Sequence, residues 1–148
     1  MKRIVLLCFL LAAATSMLAQ SLAVKSGLWE NVVYGDDGKP SLTALNCFTP
    51  TSLAEMISSV AKRPGCKITS QNATSKGITI DLACDTPRVQ MTSHGVLEVI
   101  DSEHVRSTQT MKMTMDGQTK VTTTKAAASF KSPSCGKVTP GEPKITSQ

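Results

Sequence analysis

At 148 residues the chain has room for one domain with a real core and not for two. Its formal charge of +5 is scattered along the sequence, which weighs against a nucleic-acid or membrane-surface patch and for an ordinary solvated surface. With one Trp, one Tyr and three Phe, the core has to be built from aliphatic side chains and methionine.

The chain opens with Lys2 and Arg3 and then the apolar run Ile4–Ala13. This reads as an export signal over residues 1–23, because a membrane span needs roughly 20 apolar residues. Ala19, Ser21 and Ala23 are the candidate cleavage positions, none in a clean Ala-x-Ala setting, and an uncleaved anchor is the alternative. Cys8 follows Leu7, where lipid attachment would need a small residue, so no stable membrane anchor is expected after cleavage. Loss of residues 1–23 leaves 14 basic against 11 acidic residues, net +3. It also leaves Cys47, Cys66, Cys84 and Cys135, an even set that suits disulfides in an oxidising compartment.

Val24–Tyr34 is β-branched and aromatic and ends in Gly35-Asp36-Asp37-Gly38, a turn by composition; Ser41–Phe48 returns antiparallel to it. A single helix is expected at about 50–62. Thr49 is placed to cap it, Pro50 to start it and Arg63-Pro64-Gly65 to end it, with Leu53, Met56, Ile57 and Val60 forming the stripe that packs on the sheet.

Cys66–Cys84 reads as a hairpin folded about Ser75. That register sets Cys66 opposite Cys84, Ile68 opposite Leu82, Ser70 opposite Ile80 and Asn72 opposite Ile78, all on one pleat face. A disulfide between Cys66 and Cys84 and an apolar inner face require the same register, which leaves Cys47 to pair with Cys135. A zinc site is the rival reading, but there is no Cys-x-x-Cys, and His94 and His104 match no ligand spacing.

Arg88–Ile100 resumes a strand, with a change of parity near His94-Gly95 that suggests a bulge or bend. Asp101-Ser102-Glu103 turns into His104–Met115, and Asp116-Gly117 turns into Gln118–Phe130. A two-residue loop there would set Met113 opposite Lys120; a bulged three-residue loop sets it opposite Val121 and is preferred because it pairs apolar with apolar. Residues 136–148, rich in proline and glycine, read as a mobile tail. The expected fold is mainly β with one helix. It is a curled antiparallel meander of about seven strands, a half-barrel or small barrel, with two disulfides, over residues 24–135.

Gly27-Leu28-Trp29-Glu30, Cys47-Phe48-Thr49-Pro50, Cys66-Lys67, Leu82-Ala83-Cys84, Met111-Lys112-Met113-Thr114-Met115 and a terminal Cys135 follow one another in an order that resembles a family of small exported bacterial proteins classed as a domain of unknown function. The family's usual proline before Gly-Leu-Trp is Ser26 here, and its Gly-Asp-Cys ending is Pro133-Ser134-Cys135. The resemblance covers about residues 25–136 and implies the fold and an envelope location, with no activity attached. A looser similarity, through Gly27-Leu28-Trp29, is to the lipocalin-type barrels of the calycins.

No Gly-x-Ser-x-Gly elbow, phosphate loop, dinucleotide fingerprint or His-Glu-x-x-His occurs, and the exported cysteines are all committed to bridges. An enzyme is therefore not expected, and no cofactor or metal is. Asp36-Asp37 supplies too few oxygens for calcium, and the methionines lack the Met-x-x-Met clustering or histidine partner that copper would want. The one functional candidate is an inward row, Met111, Met113 and Met115, which with Trp29 would line a concave apolar site. The expected protein is a periplasmic or secreted module that binds a small apolar molecule, with no nucleic acid as partner. The alternative is an envelope interaction or inhibitor protein with a filled core that meets another envelope protein through its loops or a sheet edge.

Overall fold

The computed structural model describes residues 22–49 and 51–147, except the side chains of Leu53, Ala54, Met56, Val60 and Ala61. Most of the expected export signal, Pro50, and the side chains of Leu53, Met56 and Val60 that were to form the helical stripe lie outside the described residues. In chain order the elements are β1 (Gly27–Tyr34), β2 (Pro40–Phe48), α1 (Ser52–Ala61), β3 (Cys66–Thr74), β4 (Gly77–Asp85), β5 (Val89–Asp101), β6 (His104–Met115), β7 (Gln118–Ser132) and β8 (Lys144–Ser147). All eight strands form one sheet in the order β3-β4-β5-β6-β7-β1-β2-β8, each pair antiparallel. The two end strands do not pair, so the sheet curls without closing into a barrel.

Both expected disulfides are present, Cys66–Cys84 across the β3–β4 hairpin and Cys47–Cys135 over a separation of 88 residues. Such bridges persist in oxidising, extracytoplasmic compartments. No helix among the described residues is long and apolar enough to cross a membrane. The Thr49 hydroxyl accepts from the Ser52 amide at 3.1 Å, capping α1, which contacts β3.

Three register expectations need correction. In the β3–β4 hairpin, Cys66 faces Cys84 and Ile68 faces Leu82, but Thr69 bulges out, after which Ser70 meets Asp81 and Ala73 meets Ile78. The bulge exchanges polar Asn72 for Ala73 beside Ile78, which is 7% exposed, so an apolar residue sits on the buried face. In β5 the pairing with both neighbours runs unbroken through Gly95, and the irregularity falls instead between Val99 and Asp101. At the β6–β7 turn Met115 pairs with Gln118 and Met113 with Lys120, the two-residue loop. Asp116 and Gly117 have φ of 51° and 77°, and a turn with both central residues left-handed matches the twist of the strands it joins. Backbone twist outweighs the apolar pairing, and Val121 is turned out to 60% exposure.

The segment after Cys135 is not a tail in the structure. Val138 is 8% exposed, Pro140 bridges to Cys47, and β8 pairs with β2, which raises the strand count from the expected seven to eight. The proline- and glycine-rich composition that signals a tail also suits a chain that wraps around a sheet edge.

Candidate functional site

The strand registers sort the side chains onto two faces. One carries Ile78, Ile80, Leu82 and Cys84 of β4, then Met91, Ser93 and Leu97 of β5, Val105, Ser107, Met111 and Met113 of β6, Ala126, Ala128 and Phe130 of β7, and Trp29 and Asn31 of β1. This is the concave face, and a cavity of ≈ 540 Å³ lies on it. Its floor is Trp29, Asn31, Leu97, Val105, Ser107 and Ala128; Asn46 and Phe48 of β2 add to it, and Ser52, Glu55 and Ser59 of α1 form one wall.

Two segments outside the meander complete it. Leu22 and Val24, just before β1, line the cavity and are half-buried, while the intervening Ala23 and Lys25 are exposed. This stretch is strung between two turns: the Ala23 amide donates to the Ser75 carbonyl at 3.1 Å and the Lys25 amide to the Ser102 carbonyl at 2.9 Å. On the other side the C-terminal segment brings Gly141 and Pro143 to the rim.

Trp29, 4% exposed, is the centre of this construction. Its ring stands edge-on to Phe48 and Phe130, at centroid distances of 6.5 and 5.9 Å, and its Nε1 donates to the Lys25 carbonyl at 2.9 Å. The indole thus supplies apolar surface to the cavity while its one polar group holds the N-terminal segment in place. Lys25 extends its ammonium to an ion pair with Glu103 and sits 5.2 Å from the centre of the Phe130 ring. Gly27 has a φ of 138°, and a Cβ there would stand 2.2 Å from the Ser132 carbonyl oxygen, so the residue that aims Trp29 inward must be glycine.

The predicted site residues are divided by this geometry. Trp29 lines the cavity; Met111, Met113 and Met115 do not. The methionines belong to the same face, but they lie toward the Asp116-Gly117 end of β6, whereas the cavity meets β6 at Val105 and Ser107. Met113 faces Met91, Met111 faces Ser93, and Met115 is 51% exposed at the end of the row. Leu22 escapes the sequence reading because it falls inside the expected export signal, and Val24 because it is read as the start of the first strand, which begins only at Gly27. Their alternation with Ala23 and Lys25 was the available signal.

The outer face carries a second depression of ≈ 420 Å³ that includes Asp81, His94, Thr110 and Lys112. His94 Nδ1 lies 2.6 Å from Asp81 Oδ1, and the two side chains are 56% and 37% exposed. His104 Nδ1 lies 2.9 Å from Asp101 Oδ1 in the β5–β6 turn, also exposed. The Asp101 carboxyl is held below its usual range, chiefly because it accepts the Glu103 amide at 2.7 Å and next because of the His104 side chain. Among the described residues no group of three or more His, Cys, Asp or Glu side chains could hold a metal ion.

No curated protein and no solved structure matches the chain. A family model does match, and it runs from two residues after Leu22 to the second cysteine of the long bridge, so it takes in β1 to β7 and leaves out β8. Over residues 24–135 the chain belongs to the family described as Protein of unknown function (DUF3617).

Proposed function

We propose that this protein is an exported, non-enzymatic binding module of the cell envelope that holds a small apolar molecule in the cavity above Trp29. The observation that carries this reading is the cavity itself. At ≈ 540 Å³ it falls within the roughly 300–1,000 Å³ of small-molecule sites, and its apolar floor is interrupted by a few amides and hydroxyls. Lys2, Arg3 and the Ile4–Ala13 run support export, as do the two disulfides. Against catalysis stand the two His–Asp pairs: both are solvent-exposed, and the Asp81–His94 pair is on the face opposite the cavity.

The alternative, an interaction or inhibitor protein with a filled core, is less well supported, because the concave face holds open volume where that reading needs side chains. Native mass spectrometry of the protein purified from the exporting cell tests the choice. A co-purified adduct of lipid-like mass that is lost on collisional activation is expected; bare protein that also fails to bind added apolar probes would overturn the reading.

A further inference from the structure

We infer that the ligand of this cavity is a single-chain amphiphile with a cationic head, which rests on the binding reading above and adds the charge of the head group. Among the described residues that line the cavity, the one charged side chain is Glu55. It stands exposed in the first turn of α1, and no ion pair engages it among the described residues. No lysine or arginine is among the described residues that line the cavity, and Lys25, on the segment that bridges it, has its ammonium committed to Glu103. A carboxylate or phosphate drawn into this site would leave water, find no cation among the described lining residues and face Glu55. An ammonium head at the rim, with its chain on Trp29, Leu97 and Val105, meets both the charge and the apolar floor.

The whole chain carries a formal +5, so a nonspecific surface field would favour anions. A preference for cations therefore has to arise locally.

The test uses the sole tryptophan, Trp29, as the reporter. Its emission is followed while dodecylammonium, dodecanol or laurate is added, each kept below its self-association concentration. Dodecylammonium is expected to bind about fivefold more tightly than dodecanol, the scale of one partly exposed charge pair, and laurate more weakly than either. Glu55→Gln, an exposed change that leaves the cavity floor intact, should bring dodecylammonium to the level of dodecanol and leave dodecanol unchanged. Equal affinities, or a preference for laurate, would overturn the head-group assignment and leave the apolar cavity standing. No response to any of the three would overturn the binding reading and this inference with it.

Discussion

The Ala23 amide donates to the carbonyl of Ser75, 3.1 Å away, tying a residue four positions before β1 to the β3–β4 turn. In the sheet, β5, β6 and β7 lie between β4 and β1, so the N-terminal segment spans the open end of the curl as a strap. A chain begun at Val24 loses this bond and the half-buried Leu22 side chain, at a cost of about 1 kcal/mol. Compared with a chain begun at Leu22, it should show a lower denaturation midpoint and faster amide exchange around Lys76 and Gly77. On the proposed export, processing is expected to respect the strap, and N-terminal sequencing of the processed protein should begin at Leu22 or earlier. A mature chain that begins at Val24 with unchanged stability would refute the structural role of residues 22 and 23.

Trp29 combines buried ring contacts with one hydrogen bond, and two substitutions separate them. Trp29→Ala removes both and should destabilise by about 3–5 kcal/mol. Trp29→Phe keeps a ring near Phe48 and Phe130 but loses the donor to Lys25, and should cost about 1–2 kcal/mol from the bond and the smaller ring together. Urea titration of the two variants should place them in that order. Similar losses for both would mean that the hydrogen bond, and not the packing, dominates.

Gly27→Ala adds a single methyl yet should be among the costlier changes in the chain. It imposes about 1–3 kcal/mol of backbone strain, and it adds collisions with backbone atoms, the Ser132 carbonyl oxygen at 2.2 Å and the Pro133 Cα at 2.9 Å. A denaturation midpoint within error of the parent would show that β1 and β7 can separate there without consequence.

The hairpin was legible because two cysteines and an alternating apolar set, Ile68, Ile78, Ile80 and Leu82, demand one register. The Thr69 bulge was not, since Thr69, Ser70, Gln71 and Asn72 are all polar and no pairing among them is favoured by burial. The one local hint was Ala73, which is a better neighbour for Ile78 than Asn72 is. The methionine row was read on the correct face but at the wrong end for the cavity. Period two reveals which face a side chain takes; it carries nothing about which end of a curled sheet is roofed. The roof comes from Leu22 and Val24, from α1 and from Gly141 and Pro143, long-range neighbours whose local sequences contain no trace of one another.

Acid should loosen the β5–β6 turn before the sheet. The Asp101 carboxyl has its folded value below its ordinary 3.8, so its contribution is present in full above that ordinary value and is lost as pH falls through the folded one. Amide exchange at Glu103, corrected for its intrinsic pH dependence, should therefore quicken below the carboxylate range while strand amides of β5 and β6 stay protected. In Asp101→Asn the step should vanish. A Glu103 amide whose protection is flat through that range in the parent would remove the carboxylate from the account.

The two disulfides should be separable by function. Cys66–Cys84 joins paired residues of one hairpin over a separation of 18, whereas Cys47–Cys135 anchors the start of the C-terminal segment to β2. From that anchor the chain buries Val138, bridges Pro140 to Cys47 and delivers Gly141 and Pro143 to the cavity rim before pairing as β8. On the chain-entropy model each bridge stabilises by about 3–5 kcal/mol, so both double serine variants should melt earlier. Replacing Cys47 and Cys135 should in addition weaken binding of an apolar probe about tenfold at a temperature where the protein is still folded, and speed amide exchange at Ile145 and Thr146. Replacing Cys66 and Cys84 should leave probe affinity within about twofold, because neither the strap at Leu22 nor the segment at Pro143 is held by that bridge. Equal losses of affinity in the two variants would mean that the C-terminal segment is not a wall of the site, and the cavity would then have to be held by the meander alone.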